Sequence, residues 1–175
     1  MRILGIDPGL RITGYACVEG PPEDPHLVEG GVFRLGGASG SAAASVSERL
    51  LELHTDFSEL LERLKPEAVA VESLFVHYNH PATAIVMGHA RGVLLLAIRA
   101  AGVSLLEYKP NEVKKFMTGH GHASKQQIQD AVQARLHLAQ TPDPPDLADA
   151  IAIALCAAWR CGLDLDSTPP SQTRV

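Results

Sequence analysis

Apolar positions along this chain follow two rhythms, one of short continuous runs and one of helical spacing. RILGID at 2–7 is a short apolar run with a polar end, and ITGYACVE at 12–19 resumes after the turn DPGLR, so the two are predicted to pair as antiparallel strands. LVEGGVFRL at 27–35 extends the meander as a third strand, and GGASGSAAAS beyond it has the composition of a flexible connector.

The rhythm then changes. Val46, Leu50, Leu51, Leu53, Phe57, Leu60, Leu61 and Leu64 recur at helical spacing before Pro66, which predicts an amphipathic helix over 45–64. AVAVES at 68–73 reads as a buried strand. HPATAIVMGHARGVLLLAIRAAG is a helix with Pro81 in its first turn and Gly102 at its C-terminal end, and VSLLEY at 103–108 is a fifth strand. Two helices near 110–117 and 124–138 precede a last one running from Pro145 to about Cys161. A meander followed by alternating helix and strand describes an α/β domain, a mixed five-stranded sheet flanked by helices. The domain is expected to occupy 1–163, with DLDSTPPSQTRV at 164–175 as a disordered tail.

Composition narrows this picture. At 175 residues the chain has room for one domain with a sizeable core, and its 46% apolar and 20% charged residues are ordinary globular values. No uninterrupted apolar run approaches the roughly 18 residues of a membrane span, and MRILGID reads as a strand rather than a secretory signal, so a cytoplasmic protein without a membrane partner is expected. Cys17, Cys156 and Cys161 lack partners at zinc spacing and are expected to be reduced core thiols. The net charge of −5 argues against a protein that simply coats nucleic acid, although clustered carboxylates bound to divalent ions would change the local sign.

Carboxylates do cluster at element ends. Asp7 closes the first strand, where Asp-Pro-Gly suits either a tight turn or a strand-end ligand. Glu72 closes AVAVE, and if the two strands are parallel neighbours both acids reach the sheet edge where α/β folds place their chemistry. In TPDPPDLADAIAIALCAAW, Asp143 is a candidate N-cap, and Asp146 and Asp149 share one face of the last helix. Asp146 alone fits a first-turn acid complementing the helix dipole. Asp149 is followed by a helix apolar almost all round, so it is drawn toward an interior where it needs a metal ion or a remote basic residue. Four hard oxygen donors at converging ends suit magnesium or manganese, two ions of which could activate water and stabilise the leaving oxygen in phosphodiester cleavage.

These residues carry a resemblance. GIDPGLRITGYA, VESLFVHYN, GHARGVLLLA and PPDLADAIAIAL, in this order and over nearly the whole chain, resemble the RuvC family of Holliday-junction resolvases. The resemblance implies a ribonuclease-H-like fold, a homodimer, paired symmetric nicking of four-way DNA junctions, and RuvA and RuvB branch-migration proteins as partners. It places the metal-binding acids on Asp7, Glu72, Asp146 and Asp149; the third is histidine in some members. Phe75 matches an aromatic that enters the junction near its crossover, and Lys114 and Lys125 match basic residues at the DNA surface. Independently, KPNEVKKF and GHGHASK set four lysines within seventeen residues, a pattern that suits a phosphate-facing patch. His77, His80, His120 and His122 read as polar loop residues, and Gly88 and Gly92 form a GxxxG spacing that fits close packing or a dimer contact.

Two other classes share part of this pattern. Actin-like ATPases also place Asp and Gly after a first strand, but close two such domains around ATP, and this chain has room for one. A catalytically silent binder of structured nucleic acid would gain from losing acids near phosphate, whereas all four are present here.

Overall fold

Five strands make one mixed sheet in this computed structural model, which describes residues 1–36, 44–73 and 81–166. The strands are β1 (Arg2–Asp7), β2 (Ile12–Glu19), β3 (His26–Arg34), β4 (Ala68–Glu72) and β5 (Ser104–Tyr108), in the order β3-β2-β1-β4-β5. The meander β1–β2–β3 is antiparallel, whereas β4 and β5 add parallel to β1. The helices are α1 (Val46–Leu64), α2 (Pro81–Ala100), α3 (Pro110–Thr118), α4 (Lys125–Arg135) and α5 (Pro145–Asp166).

Strand alternation sorts the helices into two layers. Ile3, Ala68 and Ala70 point to the face covered by α3, α4 and α5. Leu4, Ile6, Val69 and Val71 point to the other, covered by α1 and α2 through Leu53, Phe57, Leu94 and Ile98. Cys17 and Cys156 are buried in these layers, and burial pushes each thiol up to about 11, which keeps it protonated and inert.

Two small residues let α5 lie directly on the sheet. A Cβ at Gly5 would stand 2.3 Å from the Ala150 carbonyl oxygen, and one at Gly14 would stand 2.0 Å from that of Asp146. Only glycine permits that approach, so the helix start is set against the β1–β2 pair.

Element ends follow identifiable caps. Ser45 accepts from the Glu48 N–H at 3.3 Å while Glu48 accepts from the Ser45 N–H at 2.7 Å, the reciprocal box that starts α1. Gly102, with φ +70, turns the chain after α2. Thr83–Ala100 has the length and mean hydropathy, 1.3, of a membrane span. It nevertheless contains His89, Arg91 and Arg99, and it packs Ala90, Leu94, Ala97 and Ile98 into the core.

Boundaries differ from the sequence expectation in three informative places. α4 ends at Arg135 rather than 138, because Leu136 leaves the helix and His137 takes φ +50; Leu136 and Leu138 still pack on the core from the turn, which is why apolar spacing overran it. α5 continues to Asp166, past both Cys161 and the boundary at 163. Asp143 is not the N-cap of α5: the helix begins at Pro145, the Pro144 carbonyl accepts the Leu147 N–H at 3.0 Å, and Asp143 stands exposed before a cis bond to Pro144.

Candidate active site

Asp7 and Glu72 are neighbours by register. Ile6 aligns with Val71 in the parallel β1–β4 ladder, so the next residue of each strand is an acid at the same edge. Alternation sends both side chains toward the α5 layer, since Ile6 and Val71 point the other way. Across the antiparallel ladder Asp7 pairs with Gly14, the residue over which the Asp146 backbone lies. One strand pair and one helix start thus deliver Asp7, Glu72, Asp146 and Asp149 to a single cleft of about 900 Å³.

The turn behind Asp7 does not use up its carboxylate. It is closed by Thr13, a fully buried residue whose hydroxyl donates to the Gly9 carbonyl at 2.5 Å and accepts from the Gly9 N–H at 3.2 Å. A Cβ at Gly9 would stand 2.1 Å from the Ile12 carbonyl oxygen, so glycine is required there. Turn and strand-end acid are adjacent features of one motif, not alternatives.

Electrostatics record how crowded the acids are. Asp7 is raised well above the usual carboxylate range, first by burial and then by Asp149, Glu72 and Asp146, with Lys125 opposing. Glu72 is pushed up to about 7 by burial and Asp149, against Lys114 and Lys125. Asp149 is raised by burial and by Asp146, again opposed by the two lysines. The positive charge that opposes this rise at Asp149 therefore comes from α3 and α4 rather than from its own helix. Among the described residues no three His, Cys, Asp or Glu side chains are drawn together as a ready-formed ion cage.

Of the four lysines in the 109–125 stretch, Lys114 and Lys125 line the cleft, and Lys109 and Lys115 do not. His120 and His122 are exposed on the loop before α4 and do not line it either. Phe75, His77 and His80 lie outside the described residues.

Sequence patterning missed three arginines at this end of the sheet. Arg91 of α2 donates to the Glu72 carbonyl at 3.3 Å and pairs with Glu107, fixing the end of β4. Arg11 and Arg49 line the cleft. Arg49 falls on the polar side of an amphipathic helix and Arg11 in a turn, positions where charge ordinarily means solvation, so no periodic signal marks them.

A family model described as crossover junction endodeoxyribonuclease RuvC matches residues 3–157. The chain is 46% identical over 166 residues to a crossover junction endodeoxyribonuclease RuvC from Rhodopirellula baltica, covering 94% of this chain and 89% of that one. Thermus thermophilus RuvC in complex with a Holliday junction substrate superposes with a TM-score of 0.83 at 36% identity, covering 94% of this chain and 96% of that one. The yeast mitochondrial Holliday junction resolvase Ydc2 shares the fold, with a TM-score of 0.69 at 16% identity over 94% of this chain and 80% of that one.

Proposed function

Since the chain belongs to the RuvC family of crossover junction endodeoxyribonucleases, we propose that its cleft is where four-way DNA junctions are cut by paired symmetric nicks. The protein is a Holliday-junction-resolving endonuclease, and the α/β architecture is ribonuclease-H-like. The observation that carries the site assignment is the convergence of Asp7, Glu72, Asp146 and Asp149 on one cleft overlooked by Lys114 and Lys125.

The donor set fits a divalent metal. All four side chains are hard oxygen donors, and burial, followed by the neighbouring acids, raises Asp7, Glu72 and Asp149, a cost that a bound cation relieves. When bound by these acids, Mg²⁺ or Mn²⁺, as a pair on this reading, supplies positive charge to the attacking water and to the leaving oxygen. The chain's own part is recognition and placement. Lys114 and Lys125 attract the phosphate that the acids would otherwise repel, and the rigid β1–α5 contact holds the acids in register with it.

Phe75 follows Glu72 by three residues, so a ring entering the junction crossover from there would couple junction shape to the position of the cut strand. A two-fold substrate calls for two matching sites, and we assign the homodimer contact to α2, where Ile85 and Leu96 are 61% and 64% exposed and a Cβ at Gly92 would meet nothing within 4 Å. Action on DNA in the cytoplasm, with RuvA and RuvB as branch-migration partners, completes the reading.

Incubating the protein with a synthetic four-way junction and Mg²⁺ tests it. Wild type should make paired nicks, whereas Asp7→Asn, Glu72→Gln and Asp149→Asn should bind the junction as well or better and cut none. Wild-type cutting rates in one of these variants would remove that acid from the site.

A further inference from the structure

The cleft has a second basic wall. Lys114 and Lys125 come from α3 and α4, on one face of the sheet, whereas Arg49 comes from α1, which covers the other face, and Arg11 comes from the β1–β2 turn. The four acids lie on the cleft that these two walls share.

Arg49 is held without its natural partner. Glu52, three residues on along α1 and in reach of it, accepts instead from the Gly36 N–H at 2.8 Å. Among the described residues Arg11 and Arg49, like Arg34, Arg99 and Arg135, form no ion pair with a carboxylate, but of these only Arg11 and Arg49 line the cleft, where four carboxylates stand. The Arg49 Nε is buried and makes no hydrogen bond among the described residues. A buried guanidinium donor left unsatisfied costs free energy, and its planar fork matches a phosphate group. Arg49 lines the cleft, and on the junction-cutting reading the anion that enters this cleft is a backbone phosphate of the substrate.

We propose that Arg49, assisted by Arg11, binds a backbone phosphate of the strand being cut, on the wall opposite Lys114 and Lys125, so that the strand is clamped from both faces of the sheet. This rests on the junction-cutting reading of the cleft. The clamp gives the chain a way to set which phosphodiester lies over the acids, because two separated phosphate contacts fix register along a strand where one does not.

Binding of a synthetic four-way junction, measured against salt in EDTA, tests the clamp. Arg49→Gln and Arg11→Gln should each weaken binding several-fold and make the salt dependence shallower by about one counterion, and Arg49→Lys should restore the slope without the full affinity. Single methylphosphonates stepped along the cut strand supply a second readout. At one position the neutral linkage should abolish the difference between wild type and Arg49→Gln, and that position should differ from the one that does so for Lys114→Ala. Thermal unfolding of each variant is followed in parallel. Unchanged slopes for both glutamine variants, with Lys114→Ala still lowering it, would overturn the clamp alone. So would an affinity loss at Arg49 explained by a lower melting temperature while Arg11→Gln binds as wild type. A wild-type protein that neither binds nor cuts junctions would overturn the clamp together with the reading of the site.

Discussion

The Asp146 carbonyl oxygen lies so close above Gly14 that a Cβ at position 14 would stand 2.0 Å from it. Because Gly14 is also the cross-strand partner of Asp7, this single approach sets the start of α5 against the end of β1 and thereby brings acids more than a hundred residues apart in sequence to one cleft. Arg91 does the matching work for Glu72 by holding its carbonyl from α2.

Gly14→Ala should therefore damage stability and chemistry together. The methyl group meets main chain, which cannot rotate away, so α5 must lift from the sheet at a cost of about 1–3 kcal/mol or more. Thermal unfolding should show the loss, and the folded fraction should cut junctions far more slowly than it binds them. A variant with wild-type melting temperature and cutting rate would mean that the acids do not depend on this approach.

Burial of the acids, together with their crowding, predicts an inverted pH profile for the metal-free fold. Glu72 rises from 4.5 to about 7 on folding and Asp7 rises as well, so the folded state binds more protons than the unfolded one. The stability these groups contribute is fully present below about pH 4.5 and is lost as pH rises through about 7. In EDTA the melting temperature should fall between about pH 5 and about pH 8, Mg²⁺ should flatten that fall, and Asp7→Asn should raise the melting temperature at the upper end. Scanning calorimetry across that range gives the answer; a melting temperature that climbs with pH in EDTA contradicts the crowding.

Lys114 and Lys125 each face the acids and the cleft. Lys114→Ala and Lys125→Ala should weaken junction binding at every sequence and flatten the salt dependence by about one ion for each phosphate left without its lysine. Titrations at several salt concentrations check this, and unchanged slopes would return both lysines to the solvated surface.

Phe75 is expected to separate junction recognition from folding. If its ring stacks on an unpaired base, worth about 1–3 kcal/mol, Phe75→Ala should lose most cleavage with its melting temperature kept, and Phe75→Trp should keep much of the activity. A core role predicts a loss of roughly 3–5 kcal/mol of stability in the alanine variant instead. Cleavage and thermal unfolding measured on the same two proteins decide between them.

Sequence alone determined what depends on local periodicity and chain order. The apolar runs of β1, β2 and β4, the spacing of Leu53, Phe57 and Leu60 in α1, and the Ser45–Glu48 pair each state their element within a few residues, because strand and helix burial have fixed periods. The acids were legible in part for a related reason: Asp149 precedes an apolar helix where a carboxylate has no local explanation, whereas Asp7 and Asp146 also fitted a turn and a helix start, and it was their shared position at element ends that drew the four together. Element ends at Leu136 and Asp143 were less legible, since Leu136 and Leu138 stay apolar outside the helix and Pro144 displaces Asp143 from the cap. Tertiary structure alone decided which charges meet. Arg49 and Arg11 look solvated in one dimension and line the cleft in three, Lys114 and Lys125 reach Asp149 from other helices, and Gly14 proves to be the seat of the Asp146 backbone. Those relationships join residues far apart in the chain, and no local preference records which partner a surface charge or a small residue will find once the layers have packed.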